Sequence, residues 1–253
     1  MEPTPTKVVF FDLDGTLFDH DHSLRLAIST MQLLYPILEG KNVEELVDKY
    51  NTALQQAYDE YLDKAITFEE ANTRKIHLFY TALGLPKPSL DEVNDFRGGY
   101  KTIYRANRKA TPGSVETLLR LRKHGYRICI ITNGQTEDQA AKAEAIGIGH
   151  LVDRIITSEE AGYRKPDPRI FHYAMEQFGA SPQTIMVGDS AESDIKGALD
   201  SQLTPIMYSP TSQESQRFLS GQQVPVIHHM SQLLKHFDIP STTPSGLKSA
   251  EAT

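Results

Sequence analysis

The sequence is poor in cysteine, and this limits the chemistry that it can support. Cys129 is the single cysteine among 253 residues, so the chain cannot form an internal disulfide. It lies in the apolar run 128–131. This setting predicts a buried core thiol rather than a reactive nucleophile.

Basic clusters and long apolar stretches are also missing. Lysine and arginine total 26 against 33 acidic residues, a net charge of -7, and the absence of a basic cluster argues against a nucleic-acid polymer as partner. No window is apolar enough to span a bilayer, and residues 1–6 lack the basic segment of a signal peptide. We therefore expect a cytoplasmic protein without membrane partners. The oligomeric state stays open.

A phosphorylated small molecule remains compatible with this acidic balance. A bound cation and one or two local basic groups can dominate the field of a site, whatever the net charge of the chain. Apolar residues make up 39% of the sequence, enough for one large domain, or for one domain that carries a smaller insert.

Apolar runs alternate with amphipathic helices over much of the chain. Residues Val8–Phe11 predict a strand buried on both faces, as in a parallel sheet. Further strands are predicted at 126–131, 154–157, 184–187 and 205–208, and helices at 114–124, 167–178 and 193–200. Weaker patterns predict an edge strand at 224–227 and a last helix at 231–236. The alternation predicts an α/β fold, a doubly wound parallel sheet of the Rossmann-like kind.

The interval after the first strand is too long for a simple crossover, which needs about a dozen residues plus its helix. Residues 17–108 are surplus and carry helical patterns. Capping signals at Asn42, Thr67 and Ser89 begin three helices, and an apolar stripe over 24–35 predicts a fourth. The division is thus a core (1–16 and 109–239), an inserted four-helix cap (17–108) and a disordered tail (240–253). The stripe predicted for the second helix comprises Val43, Val47, Tyr50, Leu54, Tyr58 and Tyr61.

Two carboxylates lie where the first strand ends, in Asp12-Leu13-Asp14-Gly15. A carboxylate can attack phosphorus to form an acyl-phosphate, which water then cleaves. The attacked group is itself an anion, so a cation such as Mg²⁺ must reduce the repulsion. The second carboxylate can protonate the leaving alcohol and later activate water. Alone, this motif would also fit an Asp-rich turn.

Three more groups of polar residues follow the other predicted strands. Thr132 and Asn133 end the second strand and can hold a phosphoryl oxygen through a hydroxyl and main-chain N–H groups. Lys165 precedes a helix and can neutralise phosphoryl oxygens. Asp189 can complete a metal site with Asp12 and the Asp14 carbonyl, and Asp194 follows one turn later. Carboxyl ends of parallel strands share one edge of a sheet, so the joint pattern favours a site over chance.

This series resembles the motifs of the haloacid dehalogenase (HAD) superfamily, and the insert resembles its C1-type helical cap. The resemblance implies that Asp12 is the nucleophile and Asp14 the general acid/base. It further implies that Thr132, Asn133 and Lys165 bind the phosphate, that Asp12, Asp14 and Asp189 bind Mg²⁺, and that Asp194 supports them. Within the superfamily, the motifs around residues 131–134, 158–162 and 187–195 are most similar to pyrimidine 5′-nucleotidases and N-acylneuraminate-9-phosphatases.

The expected activity is a Mg²⁺-dependent phosphomonoesterase acting on a nucleoside monophosphate or a similar small phosphate ester. Alternatives are a phosphatase of a sugar or isoprenoid phosphate, a phosphomutase and a 2-haloacid dehalogenase. A non-enzymatic binding protein need not retain all the motif residues. His20 and His22 are expected to form a polar hinge into the cap rather than a second metal site, and the cap tyrosines to pack in its core rather than on a base.

Overall fold

A seven-stranded sheet forms the centre of the molecule in the computed structural model, which describes residues 7–240. The strand order is β3-β2-β1-β4-β5-β7-β6, and every pairing is parallel except that of β6 with β7. The strands are β1 (Val8–Phe11), β2 (Arg127–Thr132), β3 (Arg154–Thr157), β4 (Ile185–Gly188), β5 (Thr204–Tyr208), β6 (Gln216–Leu219) and β7 (Gln222–Ile227). The predicted α/β class with a parallel, doubly wound sheet is confirmed.

Strand β1 lies near the middle of the sheet, and all four of its side chains are buried. Val9 and Phe11 pack into one apolar cluster, whereas Val8 and Phe10 pack into another on the opposite face. Side chains of a strand alternate between the two faces, so a strand covered on both sides must be apolar throughout. This is why β1 is a continuous apolar run.

Helices cover both faces of the sheet. They are α5 (Ser114–Lys123), α6 (Thr136–Ala145), α7 (Ser158–Ala161), α8 (Pro168–Phe178) and α9 (Gly197–Asp200). A π-helical segment, Ala191–Lys196, runs directly into α9, and a 3₁₀ helix covers Met230–Phe237.

Four further helices lie between β1 and α5, as the capping signals predicted. They are α1 (His20–Leu34), α2 (Val43–Leu62), α3 (Phe68–Ala82) and α4 (Leu90–Ala106). Asn42, Thr67 and Ser89 each cap a helix by accepting a hydrogen bond from a main-chain N–H, as predicted. The helices enclose an apolar cluster of their own, with Ile28, Phe79 and Phe96 fully buried in it.

The two connections between this helical unit and the sheet run side by side. Asp19 donates a main-chain hydrogen bond to Lys109 at 3.0 Å, and Thr111 donates one to Leu17 at 2.9 Å. Leu17 and Phe18 pack with the cluster of the sheet. The domain boundaries at 17 and 108 stay predictions, and the tail beyond residue 240 lies outside the described residues.

The apolar stripe predicted for α2 does not coincide with the face that the helix buries. The helix buries Leu46, Tyr50 and Ala53 in the apolar cluster of the cap, whereas Leu54, Ala57 and Tyr58 line the cleft above the sheet. The predicted stripe assumed one apolar face, but this helix has two because it packs on the cap and also roofs a cleft. For Tyr50 the prediction of a cap-core role is confirmed.

Four assignments over the second half of the chain also differ from the prediction. Residues 224–227 do not form the sheet edge, because the hairpin partner β6 lies outside them. Strand β6 was missed since its sequence, Gln-Arg-Phe-Leu, lacks an apolar run. The helix predicted at 193–200 begins two residues earlier as a π-helical segment, and α6 was not predicted at all since its buried face is largely alanine, glutamine and lysine.

Arg164 forms two of the ion pairs that join the helical unit to the rest of the chain. Arg164 contacts Asp59 at 2.9 Å and Asp63 at 2.7 Å.

Across residues 7–240, none of the helices combines the length and apolar character that crossing a membrane requires.

Candidate active site

A cleft of about 1530 Å³ separates the helical cap from the carboxyl edge of the sheet. The ends of β1, β2 and β4 contribute Asp12, Thr132 and Asp189 to its floor, and Lys165 lies beside them. In open α/β sheets this edge is where ligands bind, since the strand order reverses there and leaves a crevice. The structure therefore brings the predicted groups of polar residues together in one place.

Lys165 bridges two buried carboxylates on the floor of the cleft. Its Nζ donates to Asp12 Oδ1 and to Asp194 Oδ1, both at 2.6 Å. All three residues are buried, and the side chains of Lys165 and Asp194 are 2% and 1% exposed. A charged triad this deep is stable only if each member is paired, because an isolated buried charge is strongly penalised.

Neighbouring polar groups hold Lys165 and Asp194 of this triad in place. Asn133 accepts from the Lys165 main-chain N–H at 2.8 Å and donates to its carbonyl at 3.1 Å. Asp194 accepts from the Ser190 N–H through its second oxygen at 3.0 Å. The side chain of Asn133 thus positions Lys165. The predicted contact with phosphate would then be made by the main-chain N–H group of Asn133.

The π-helical segment aims Asp194 at Lys165. Ile195 N donates to Ser190 O at 3.1 Å, the wider spacing that defines a π turn. A Cβ at Gly188 would overlap the side chain of Asp194, so glycine is required at the end of β4 for this close approach. Sequence reasoning placed Asp194 in the site, but it could not anticipate the π turn.

Burial dominates the electrostatics of the acidic groups. Burial raises the pKa of Asp12 from an ordinary 3.8 to about 7, although Lys165 opposes the shift. Burial and the nearby Asp12 and Asp194 raise the pKa of Asp189 well above its ordinary value. Burial alone would lower the pKa of Lys165, but Asp12 and Asp194 outweigh it, so this pKa is raised and the lysine stays charged.

The carboxylates of Asp12, Asp189 and Asp194 fit a divalent cation. One oxygen from each lies within 4.8 Å of the others. Asp12 Oδ2 is buried and has no hydrogen-bond partner within residues 7–240, as expected for an oxygen whose partner is an ion. Thr16 donates to Asp189 Oδ1 at 3.2 Å, which orients that carboxylate. Oxygen donors of this kind suit Mg²⁺.

Asp14 contacts different partners from those of Asp12. Both of its oxygens accept from Lys142 Nζ at 2.8 Å, and Oδ2 also accepts from Gln139 at 3.1 Å. Burial would raise the pKa of Asp14, but Lys142 and His20 outweigh it and lower the pKa. Asp14 is therefore ionised in this conformation.

Lys142 and Gln139, the partners of Asp14 in the site, were missed by sequence reasoning. Both lie on α6, which went unpredicted, although its acidic first turn and alanine-rich body are favourable helix signals. His20 opens α1 and its Nδ1 lies 2.7 Å from the Tyr104 hydroxyl, so it links the first and last helices of the cap. This contact agrees with the hinge interpretation of His20.

Comparison with known proteins identifies the family. A family model described as haloacid dehalogenase-like hydrolase matches residues 6–201. The chain belongs to the haloacid dehalogenase-like hydrolases. The predicted resemblance to this superfamily is confirmed.

Curated relatives of this HAD hydrolase cover most of its length. It is 31% identical over 233 residues to the glyceraldehyde 3-phosphate phosphatase of Methanothermobacter thermautotrophicus, covering 90% of this chain and 97% of the relative. It is 29% identical to the pyrimidine 5′-nucleotidase YjjG of Escherichia coli, covering 90% and 98%. It is 28% identical to the human N-acylneuraminate-9-phosphatase, covering 78% and 79%.

Solved structures agree with the HAD fold. The HAD hydrolase YfnB of Bacillus subtilis, bound to magnesium, matches with a TM-score of 0.75 and 20% identity, covering 93% of this chain and 100% of that one. The L-2-haloacid dehalogenase of Xanthobacter autotrophicus matches with a TM-score of 0.69 and 18% identity, covering 92% and 98%. At these identities the likeness establishes the fold alone.

Proposed function

We propose that this HAD hydrolase is a Mg²⁺-dependent phosphomonoesterase that acts through an aspartyl-phosphate on Asp12. The arrangement of Asp12 carries the proposal. This carboxylate ends the central strand, points into the cleft, is held by Lys165 at 2.6 Å and keeps one buried oxygen without a partner. Relatives that match nearly the whole chain are phosphatases by name, which supports the same reaction class.

Asp12, Asp189 and the main-chain carbonyl of Asp14 would hold the Mg²⁺, with Asp194 adjacent. When bound, the ion supplies positive charge that reduces the repulsion between an attacking carboxylate and a phosphate dianion. It also favours the ionised form of Asp12, whose pKa burial otherwise raises to about 7. The fit rests on the carboxylates of Asp12, Asp189 and Asp194, which offer one oxygen each within 4.8 Å of one another.

Asp12 would attack phosphorus, and the P–O bond to the leaving alcohol would break, leaving the phosphoryl group on Asp12. Lys165 would hold the phosphoryl oxygens, with the Thr132 hydroxyl and the main-chain N–H groups that follow β2. Water would then cleave the acyl-phosphate and restore Asp12. The buried floor of the cleft limits access of bulk water to this carboxylate.

Asp14 would transfer protons in both halves of the reaction. Paired with Lys142 it is ionised, which suits the base that activates water in the second half. In the first half it must carry a proton for the leaving alcohol. Separation from Lys142 would remove the largest influence that lowers the Asp14 pKa, so movement of this side chain would prepare it as an acid.

The substrate is a small phosphate ester. The named relatives act on a triose phosphate, on pyrimidine nucleotides and on a phosphorylated acylneuraminate. A nucleoside monophosphate remains our prediction from the core motifs, and a sugar or isoprenoid phosphate the alternative. A phosphomutase would retain the same floor residues. A dehalogenase would need neither a metal site nor a carboxylate at position 14. This chain has Asp14 and a group of carboxylates that fit a metal ion, which favours a phosphatase.

Release of inorganic phosphate tests the proposal. Purified protein should hydrolyse members of a panel of nucleotides, sugar phosphates and prenyl phosphates with Mg²⁺ but not with EDTA. Asp12→Asn should lower the rate by about 10³-fold or more, because it removes the anionic nucleophile while keeping its shape. Asp48→Asn, which removes an exposed carboxylate on α2, is the matched control. Equal rates in EDTA, or full activity of Asp12→Asn, would contradict the mechanism, and isomerised product without net phosphate release would indicate a phosphomutase.

A further inference from the structure

Basic side chains dominate the cap side of the cleft. Five of them line it: Lys75, Arg97, Lys101, Arg105 and Arg108. The cap contributes three acids to the same lining: Asp21, Asp59 and Glu69. Two of these acids are already paired, since Asp59 contacts Arg164 of the core and Glu69 contacts Arg97 at 2.5 Å. The excess of positive charge therefore faces the cleft.

Lys75 is a partly buried member of this group that lacks a paired carboxylate in the part of the chain that the structure describes. Its Nζ donates to the amide oxygen of Asn72 at 2.9 Å and lies 5.8 Å from the centre of the Tyr100 ring. Within the part of the chain that the structure describes, it forms no ion pair. Burial, followed by repulsion from Arg97, lowers the Lys75 pKa to about 8. A partly buried ammonium group without a counter-ion is unfavourable for the fold, and a bound anion would compensate it.

Arg108 shows the same shortage of negative charge. Its side chain is 6% exposed, and its Nε is buried without a hydrogen-bond partner within residues 7–240. Its one carboxylate neighbour, Asp138 at 3.3 Å, also lies 3.7 Å from Arg105 and 3.6 Å from Lys142. The Asp138 carboxylate is thus shared by three cations. It is also the largest attraction that raises the pKa of Lys75.

We infer that Lys75 and Arg108 form a second anion site on the cap side of the cleft, and that the substrate is a phosphate monoester carrying a second anionic group. This inference rests on the proposed function, which assigns the scissile phosphate to Lys165 and Asp12 on the floor. The second group, a carboxylate or another phosphate, supplies the counter-ion that Lys75 lacks. Burial in the cleft strengthens such charge-assisted contacts.

The inference separates substrate classes that the floor residues cannot distinguish. The floor contacts the phosphoryl group, which every phosphate ester shares. A second anion is present in phosphorylated carboxylic acids and bisphosphates. It is absent from uridine 5′-monophosphate, whose base is neutral, and from simple sugar monophosphates. We therefore expect the neutral class to be poorer substrates, which favours a phosphorylated acid or a bisphosphate over the nucleoside monophosphate that the core motifs alone predict.

Matched substrate pairs provide the test. Values of kcat/KM are measured with Mg²⁺ for 3-phosphoglycerate against glycerol 3-phosphate, and for fructose 1,6-bisphosphate against fructose 6-phosphate. The first pair tests a carboxylate and the second a phosphate. Wild-type protein should prefer the doubly anionic member of at least one pair. Lys75→Met should reduce that preference by about ten- to a hundredfold, mainly through KM, and leave the neutral member near the wild-type value.

Two control variants separate charge from structure. Lys75→Arg keeps the charge and should retain the preference. Lys87→Met removes a charge from an exposed loop of the cap away from the cleft lining and should behave as wild type. Equal loss for both members of a pair in Lys75→Met would indicate a structural role and overturn the inference. So would a wild-type protein that shows no preference in either pair.

Binding measurements keep the test independent of turnover. Calorimetric titration of Asp12→Asn with the same four compounds should show tighter binding of the doubly anionic members, and adding Lys75→Met should remove the difference. If wild-type protein releases phosphate from no member of the wider panel of nucleotides, sugar phosphates and prenyl phosphates, the proposed function fails, and the titration alone decides on the anion site. Equal affinities within both pairs in Asp12→Asn would overturn the anion site even if the phosphatase activity is real.

Discussion

At the scale of single residues, two carboxylates two positions apart have opposite electrostatic settings. Burial raises the pKa of Asp12 to about 7, whereas Lys142 and His20 overcome burial and lower the pKa of Asp14. Enzymes separate acid, base and nucleophile roles by such differences in environment. Here the difference arises from their partners, because Asp12 contacts Lys165 on the floor of the cleft, whereas Asp14 contacts Lys142 and Gln139 of α6.

Substitution of Asp14 tests the acid/base role. Asp14→Asn should keep substrate binding but lower kcat by about 10²–10⁴-fold, because the amide cannot exchange a proton. Steady-state rates and a binding titration separate the two effects. A kcat equal to wild type across the pH range would exclude Asp14 from proton transfer.

Lys142→Met provides a companion measurement for the same role. Removing the ammonium takes away the largest influence that lowers the Asp14 pKa, so that pKa should rise. Where kcat depends on ionised Asp14, its acidic limb should then move to higher pH. An unshifted acidic limb would show that Asp14 is not the titrating base.

At the scale of elements, the end of β4 and the π-helical segment act as one unit. Gly188 allows the Asp194 side chain to approach the strand end closely, and the π turn returns Asp194 to Lys165. Because Lys165 also holds Asp12, a change at Gly188 should be transmitted to the nucleophile through two ion pairs. The strand, the turn and the loop before α8 therefore determine the geometry together.

Gly188→Ala should be destabilising and poorly active. The added Cβ overlaps Asp194, so the turn must shift, at a cost of about 1–3 kcal/mol in the free energy of unfolding. Urea unfolding and phosphate release measure the two effects. Gly98→Ala in α4 is the control for stability, because its Cβ would have no neighbour within 4 Å and should stabilise the helix by about 0.5–1 kcal/mol. Wild-type stability and activity in Gly188→Ala would show that the turn accommodates the methyl group.

At the scale of the whole molecule, the clustered acids make stability depend on pH and metal. Folded Asp12 has a pKa of about 7 against an ordinary 3.8, so between these values the folded chain binds more protons than the unfolded one. The contribution of this group is therefore present at low pH and lost as the pH rises through about 7. Asp189, whose pKa is also raised, changes stability with pH in the same direction as Asp12. Asp14, whose pKa is lowered, contributes stability that is present above its ordinary pKa and is lost as the pH falls below it.

The free energy of unfolding of the metal-free protein should thus fall as the pH rises from about 4 to 7. Asp12 accounts for about 4 kcal/mol of this fall at most. Mg²⁺, which binds the ionised carboxylates, should raise the free energy of unfolding more at pH 8 than at pH 5.5. Urea unfolding with EDTA or Mg²⁺ at both pH values measures this. Asp12→Asn should weaken both dependences, and a variant with the full wild-type response would contradict the assignment.

Much of this molecule follows from local sequence. The continuous apolar run of β1 predicts a strand buried on both faces, and the capping residues Asn42, Thr67 and Ser89 predict where three cap helices begin. These signals act between neighbours in the chain, so they can be detected without a structure. The gathering of Asp12, Thr132, Lys165 and Asp189 was also predictable, because parallel strands bring their carboxyl ends to one edge.

Tertiary structure alone decided the rest. The face that α2 buries, the π turn that aims Asp194, and the ion pair between Lys142 and Asp14 depend on groups far apart in the chain. Sequence reasoning could not distinguish Lys75 from a solvated surface lysine, since its lack of a paired carboxylate depends on which residues line the folded cleft. Local sequence specifies which elements form, but burial and charge pairing are set by what packs against them, and they determine the pKa values and the anion preference of the site.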